Sequence, residues 1–306
     1  MRNSGGLKWH PYFEGWYFKQ QSGSGTAALI PSLHVDGAGR SFASLQVITD
    51  GGSYGAEFPA GEFELCTEPF SIRIGDSVFT RSGCSLYLKT DRLSLSGELR
   101  FGPFASPGGD IMGPFRFLPR MECRHSVLSM WHTAEGCLTV NGVPLKFQGG
   151  TGYLEGDRGS SFPRRYLWTQ CLHGEDSIML SAAEIPLWGR TFTGCVGFVF
   201  TGGREYRIAT YRGVKLLKIT PNALSLRQGE LTVRAEFLGG DFHPLRAPDR
   251  GVMSRTVRES SACRVRYVCT LRGDTLLDFV SGQASFETNW DAAGGTSGFR
   301  TGRREF

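Results

Sequence analysis

The stretch LTVNGVPLKF, residues 138–147, places an Asn-Gly pair between two apolar runs. Asn141 and Gly142 suit a two-residue type I′ turn, because both positions of that turn need a positive φ. This is the strongest short-range signal for a β-hairpin, so we predict two antiparallel strands joined at this pair. The same logic predicts a second hairpin, in which Gly75-Asp76 separates the apolar runs 72–74 and 78–79.

Strand periodicity continues on both sides of these hairpins. Leu93, Leu95, Leu99 and Phe101 alternate with polar residues, and the stretches 231–237 and 265–267 alternate in the same way. A period of two is typical of half-buried strands, and no long segment has the helical period. The 42 glycines suit tight turns between short strands, because glycine readily adopts a positive φ. The sequence therefore predicts an all-β protein.

The length favours two domains, because 306 residues exceed what one hydrophobic core usually fills. Strands that recur along a whole chain are typical of barrels or sandwiches. FEGWYFKQQ at 13–21 and RRYLWTQC at 164–171 both carry aromatic residues on a strand, and this echo is either a coincidence or a duplicated element that opens each barrel.

We predict barrels at 6–150 and 151–290, with a linker near Gln148-Gly149-Gly150. The segment 291–306 is small and polar, so we expect a disordered tail there.

Charge and cysteine usage narrow the function classes. The net charge of +5 is spread over single arginines, which argues against nucleic acid as a partner. The opening residues lack the apolar core of a secretory signal, and no stretch has the length of a membrane helix. The eight cysteines include no C-x-x-C pair, so they are interpreted as buried thiols in a reducing compartment. We expect a cytoplasmic monomer.

The generic catalytic motifs do not identify a function for this sequence. GGSYG at 51–55 matches G-x-S-x-G, but no helix is predicted after it, so a turn is the simpler interpretation. Dinucleotide, P-loop and zincin patterns are missing from the sequence. His125 and His132 could bind a metal ion or could be two hydrogen-bonded histidines, and we expect the latter, with no metal and no cofactor.

A set of segments resembles the successive signatures of the tocopherol cyclase family. They span nearly the whole chain in family order: FEGWYFK (13–19), SMWHTAEGCLTVNG (129–142), GYLEGDRGSSFPRRYLWTQC (152–171), FTGCVGFVF (192–200) and LRAPDRGVMSRTVRESSACRVRYV (245–268). The resemblance implies two lipocalin-like or calycin-like antiparallel β-barrels in tandem and a buried apolar cavity. It also implies an intramolecular cyclase of the isomerase class, which closes a chroman ring by adding a phenol hydroxyl across the double bond of a prenyl quinol.

The chain departs from the family pattern at two positions in the central segment. The lysine and the tryptophan that the family commonly carries are replaced by Gly156 and Arg158, while the acids Glu155 and Asp157 remain. The central segment therefore has one aromatic residue fewer than the family pattern.

The chemistry implied by the resemblance can be assigned to residues. Protonation of an alkene needs a carboxylic acid kept neutral by an apolar surround, together with aromatic faces that stabilise the cation. Asp157 or Glu155 is the predicted acid. The predicted substrate contacts are Tyr153, Phe162, Tyr166, Trp168, Gln170, Trp16 and Glu14, with Glu14 also a fallback donor and Gln170 a hydrogen-bond partner for a quinol oxygen.

Three alternatives stay open. Glu155 and Asp157 could instead form ion pairs with Arg158, Arg164 and Arg165, which would prevent proton donation. The barrels could hold a lipophilic small molecule as a carrier without changing it. Water could replace the phenol and give alkene hydration. In each case the ligand is apolar, so we expect transient contact with a membrane surface.

Overall fold

The structure is a computed structural model, and it describes residues 11–119, 121–187 and 189–290, without the side chain of residue 187. These residues form two antiparallel β-sheets and three short 3₁₀ helices, Ala60–Glu62, Gly113–Phe117 and Thr210–Arg212. The all-β prediction is confirmed. Within the described part of the chain, no helix is long and apolar enough to cross a membrane.

The first sheet contains eleven strands. They are β1 (Tyr12–Ser22), β2 (Gly25–Val35), β3 (Ser41–Thr49), β4 (Gly52–Pro59), β5 (Phe63–Thr67), β6 (Phe70–Ile74), β7 (Ser77–Thr80), β8 (Gly83–Lys89), β9 (Ser94–Phe101), β10 (Cys123–Val140) and β11 (Val143–Gly159). Their order in the sheet is β4-β3-β2-β1-β11-β10-β9-β8-β7-β6-β5. The sheet curls onto itself, because Trp16 of β1 packs against Phe63 of β5 and Phe70 of β6 with ring centroids 6.2 Å apart in both pairs.

The second sheet repeats this arrangement with ten strands. They are β12 (Tyr166–His173), β13 (Asp176–Leu187), β14 (Arg190–Thr201), β15 (Arg204–Ala209), β16 (Lys215–Thr220), β17 (Ala223–Gln228), β18 (Leu231–Gly239), β19 (His243–Asp249), β20 (Val252–Leu271) and β21 (Asp274–Thr288). The order is β15-β14-β13-β12-β21-β20-β18-β17-β16, and β19 pairs with β20. Each sheet encloses its own apolar core, with Phe18 and Phe79 in the first and Tyr267 and Phe286 in the second. The predicted pair of lipocalin-like barrels is confirmed.

Both predicted hairpins are present. β10 and β11 meet at Asn141 and Gly142, whose φ values of 48° and 82° are those of a type I′ turn. β6 and β7 meet at Gly75-Asp76, with Ile74 paired to Ser77. The alternating stretches 94–101 and 231–237 also lie in strands, and their apolar members face the cores, as does Leu93 just before β9.

The two echoing segments occupy equivalent places in the two sheets. β1 pairs with the second and the last strand of the first sheet, β2 and β11. β12 pairs with the second and the last strand of the second sheet, β13 and β21. This equivalence favours the duplicated-element interpretation of the echo over coincidence.

The linker expected at Gln148-Gly149-Gly150 is instead part of a strand. β11 passes through these residues, and the chain leaves the first sheet after Gly159 and enters the second at Tyr166. Gly149 has a φ of 61°, which favours glycine, and a Cβ on Gly150 would lie 2.8 Å from the carbonyl oxygen of Ala134 on β10. Residues 6–10 and the tail 291–306 lie outside the described residues.

A third apolar cluster joins the barrels. Tyr17 and Tyr153 of the first sheet pack against Trp168 and Phe198 of the second, with ring centroids 5.3 and 6.3 Å apart respectively. Alternation along β1 explains this, because Trp16 and Phe18 enter the first barrel while Tyr17 faces the second. The interface between the barrels is where the candidate site lies.

Candidate functional site

A cavity lies between the two barrels, and both sheets contribute to its wall. The first sheet supplies Tyr17 and Ile30, and the second supplies Trp168 and Val257. Its Phe, Tyr and Trp lining residues are Phe13, Trp16, Tyr17, Phe115, Phe162, Tyr166 and Trp168. An apolar ligand is therefore expected between the barrels, since each barrel interior is occupied by its own core.

Part of the cavity is covered by the connection between β9 and β10. Met112, Phe115 and Met121 of this connection line the cavity. The segment is held to the second barrel by Arg207, whose guanidinium donates to the carbonyl oxygens of Gly109 and Asp110 at 3.2 and 3.1 Å. A segment that begins in one barrel and is anchored on the other thus shields the space between them.

Two of the acids in the cavity, Glu155 and Asp157, flank His125. Nε2 of His125 lies 3.2 Å from Oε2 of Glu155, and Nδ1 lies 3.0 Å from Oδ1 of Asp157. Although burial opposes the charge, the two acids raise the pKa of His125 well above its ordinary value. Both acids therefore contact His125, and Arg165, one of the arginines considered as their partner, pairs with Glu184 at 2.7 Å.

Glu155 accepts further hydrogen bonds from both barrels. The Tyr153 hydroxyl donates to Oε2 at 2.5 Å, and the Trp168 indole N–H donates to the same oxygen at 3.3 Å. Asp157 accepts from the thiol of Cys123 at 3.5 Å. Several hydrogen-bond donors thus fix the two carboxyl groups in place in the cavity wall.

The side chains of His125, Glu155 and Asp157 bring potential metal-ligand atoms within 4.8 Å of one another. A single metal ion would take only one ring nitrogen, yet each nitrogen of His125 faces a different carboxylate. A protonated imidazole fits this geometry better than chelation does. His132 belongs elsewhere, because its ring packs against Phe101 and Phe104 in the first barrel.

Two other acids, Glu259 and Glu287, have a different environment. They are direct partners on β20 and β21, and both line the cavity with exposed fractions of 2% and 7%. The hydroxyl of Tyr17 donates to Glu259, and that of Tyr166 donates to Glu287. Burial is the main cause that raises the pKa of each to about 8. Both carboxyl groups are therefore mostly protonated at neutral pH.

The sequence analysis assigned no role in the site to Glu259 or Glu287. Glu259 follows the cavity-lining Val257 on the same strand face, which is the one signal in its favour that the sequence offers. Glu287 directly opposes Trp168 on the neighbouring strand, a pairing that only the sheet order reveals.

Of the predicted site residues, six line the cavity: Glu155, Asp157, Trp16, Phe162, Tyr166 and Trp168. Tyr153 lies behind the wall, fully buried, and supports Glu155. Gln170 is also fully buried, and Glu14 accepts a hydrogen bond from the Tyr12 hydroxyl at 2.7 Å. Neither residue belongs to the described lining of the cavity. The roles assigned to all nine in substrate binding or catalysis stay predictions.

Gly156, one of the two positions noted above in the central segment, lies against the indole of Trp16. A Cβ on Gly156 would lie 3.0 Å from Cδ1 of Trp16 and 3.2 Å from its Nε1. The indole therefore occupies the space that a larger residue on β11 would need.

Comparisons place the fold among known two-barrel structures. No protein-family model matches the chain, and no curated protein matches it. The solved structure of CghA with Sch210972 covers 96% of both chains at 11% identity, with a TM-score of 0.59. Kievitone hydratase from Nectria haematococca covers 92% of this chain and 89% of its own at 11% identity, with a TM-score of 0.54. An AttH-type protein from Nitrosomonas europaea covers 92% and 93% at 10% identity, with a TM-score of 0.52.

These likenesses establish the architecture alone, because the identities are low. The chain is a protein of two lipocalin-like barrels with an acid-containing cavity between them.

Proposed function

We propose that this protein is an acid-promoted cyclase of a lipophilic, unsaturated substrate, and that the reaction takes place between the barrels. The observation that carries the proposal is the division of four cavity acids into two environments. Glu259 and Glu287 are buried beside tyrosine hydroxyls, whereas Glu155 and Asp157 are paired with His125. Acids in contrasting environments are the usual basis for assigning a proton donor and a fixed anion.

In the proposed mechanism, the carboxyl group of Glu259 donates its proton to one carbon of a prenyl double bond. The tertiary cation that forms is stabilised by the faces of Tyr17 and Trp168 and by the carboxylate of Glu155. A phenol oxygen of the same substrate attacks the cation and closes a chroman-type ring. The phenol proton then returns to the carboxylate left on Glu259, so atoms balance and no cofactor is consumed.

This assignment changes the role of Asp157 and Glu155, which sequence reasoning proposed as donors. An acid in an ion pair with His125 is a poor proton donor, so both become the fixed negative charge that faces the cation. Glu287 is the second candidate donor, because it shares the buried environment of its partner Glu259.

The similar structures support the reaction class in a general way. One of them is named as a hydratase, and hydration follows if water instead of a phenol captures the same cation. The prenyl quinol is the finer part of the proposal and rests on the tocopherol cyclase resemblance of FEGWYFK and GYLEGDRGSSFPRRYLWTQC.

The test is to incubate the purified protein with farnesyl hydroquinone and to analyse the products by mass and retention time. Ring closure gives an unchanged mass with a new retention time, and hydration adds one water. We expect Glu259→Gln to abolish the product and Glu98→Gln, a change at an exposed acid on β9, to leave it unchanged. Glu287→Gln, Glu155→Gln and Asp157→Asn test the other three acids of these two environments.

Tight retention of the probe without turnover would reject the cyclase and support a lipophile carrier. Turnover that persists in all four cavity variants would reject the proposed acids.

A further inference from the structure

A second polar group lies in the cavity wall, on β2. His34 and Ser32 both line the cavity and are 1% and 3% exposed, and Ser44 of β3 lies beside them. Nε2 of His34 lies 2.8 Å from the Ser32 hydroxyl and 3.2 Å from the Ser44 hydroxyl, and these two hydroxyls are 2.9 Å apart. One ring nitrogen of His34 is therefore held by the protein.

The other ring nitrogen of His34 differs in this respect. Nδ1 of His34 is buried and has no hydrogen-bond partner among the described residues. A buried polar atom without a partner is costly, so an unpartnered nitrogen on a residue that lines the cavity suggests a group that a ligand satisfies once it settles against His34. The ring itself is fixed, since it stacks on Phe42 with a centroid distance of 5.1 Å.

The polar group of His34, Ser32 and Ser44 lies apart from the carboxyl groups of the cavity. Ser32 and Asp157 both pair with Gly15 of β1, so they are two strand spacings, or about 10 Å, apart. Gly15 lines the cavity between them and has no side chain to fill it. A ligand can therefore extend from His34 across Gly15 toward the acids.

The chemistry of His34 defines the group that it can bind. Burial lowers the pKa of His34 to about 4, so the imidazole is neutral near pH 7 and offers no charge to a carboxylate. Because the two serine hydroxyls can donate to Nε2 or accept from it, Nδ1 can act as donor or acceptor. A hydroxyl group can also do both.

We propose that Nδ1 of His34 binds a hydroxyl group, phenolic or alcoholic, of a neutral ligand whose apolar part lies between the barrels. This inference rests on the proposed function for the cavity as the ligand site. A prenyl hydroquinone has a second hydroxyl across the ring that takes no part in ring closure, and His34 holds that hydroxyl. His34 is thus a positioning residue that aims the reactive side of the ring at the acids.

The experiment compares two probes that differ only in their hydroxyl groups, farnesyl hydroquinone and its dimethyl ether. Binding is followed by the fluorescence of the tryptophans that line the cavity. One hydrogen bond is worth about fivefold in affinity, so the wild-type protein should bind the hydroquinone about fivefold more tightly than the ether. His34→Phe keeps an aromatic ring and should bind both probes equally, whereas His34→Gln should keep part of the preference.

The matched control is His173→Phe, which replaces an exposed histidine stacked on Phe279 in the second barrel, outside the described lining. It should retain the full preference. The inference is overturned if His34→Phe keeps the fivefold preference for the hydroquinone. It is also overturned if the wild-type protein shows no preference or binds neither probe. Circular dichroism checks that His34→Phe folds. If it does not fold, His34→Gln and His34→Leu take its place. A full preference for the hydroquinone in both of these variants would then overturn the inference.

Binding and turnover are measured separately, so the two proposals can fail independently. A protein that prefers the hydroquinone through His34 but never converts it keeps this inference and loses the cyclase. A protein that converts the probe without a preference that depends on His34 does the reverse.

Discussion

Replacement of Glu259 by glutamine tests whether a neutral carboxylic acid exists in the cavity. The change keeps the size of the side chain and an oxygen that can accept from Tyr17, but it removes the ability to ionise. In the folded protein, burial raises the pKa of Glu259 from 4.5 to about 8. In the unfolded chain the same group ionises near its ordinary pKa of 4.5.

The sign of the effect follows from proton counting. Between these two pH values the folded protein holds one proton more than the unfolded chain does, so a rise in pH favours unfolding. The stabilisation is fully present below pH 4.5 and is lost as the pH rises through about 8. Between pH 5 and pH 9 this one group lowers the free energy of unfolding by about 4 kcal/mol.

The assay is urea unfolding of the wild-type protein and of Glu259→Gln at pH 5, 7 and 9. The glutamine variant should lose about 4 kcal/mol less stability over this range than the wild-type protein does, because the other titrating groups are common to both. Glu98→Gln, at an exposed strand position, should follow the wild-type curve. Parallel curves for wild type and Glu259→Gln would mean that Glu259 is ionised throughout, and the proposed proton donor would be refuted.

Three further changes test separate parts of the structure. Gly142→Ala should lower the free energy of unfolding by about 1 kcal/mol, measured in urea, because the turn holds a φ of 82° there; no change would contradict the type I′ turn. Gly156→Lys should displace the Trp16 indole and alter tryptophan fluorescence, since the new Cβ would lie 3.0 Å from Cδ1; an unchanged spectrum would argue against that packing. Tyr17→Phe removes a hydrogen bond that lowers the pKa of Glu259, so the alkaline limb of the activity profile should move to higher pH; a shift to lower pH would contradict the assigned bond.

The sequence predicted the local features that depend on neighbours in the chain. Asn141-Gly142 defines its hairpin because the turn conformation is a property of those two residues. Alternation placed Tyr166 and Trp168 on one face of β12, and both line the cavity. These predictions use only the period of a strand and the φ preference of a turn.

Features that depend on the order of the strands in the sheets could not be predicted from the sequence. Gly149 and Gly150 look like a flexible linker in sequence, but close approach of β10 explains the need for glycine at position 150. The spacing of seven residues allows His125 and His132 to lie on opposite faces of a strand, as they do on β10, but the partners of each histidine depend on the neighbouring strands. The pairing of Glu259 with Glu287 requires β20 to lie beside β21.

The position of the site between the barrels explains why charge and aromatic residues occur together in the segment 152–171. Glu155 belongs to the first sheet but accepts from the indole N–H of Trp168 in the second, at 3.3 Å. Glu259 belongs to the second sheet but accepts from the hydroxyl of Tyr17 in the first. Each barrel thus supplies an acid that the other barrel orients, and Tyr17 and Trp168 meet edge to face between them. Because these contacts are reciprocal, the two acids reach their contrasting environments only when the barrels are docked, and neither barrel contains the site alone.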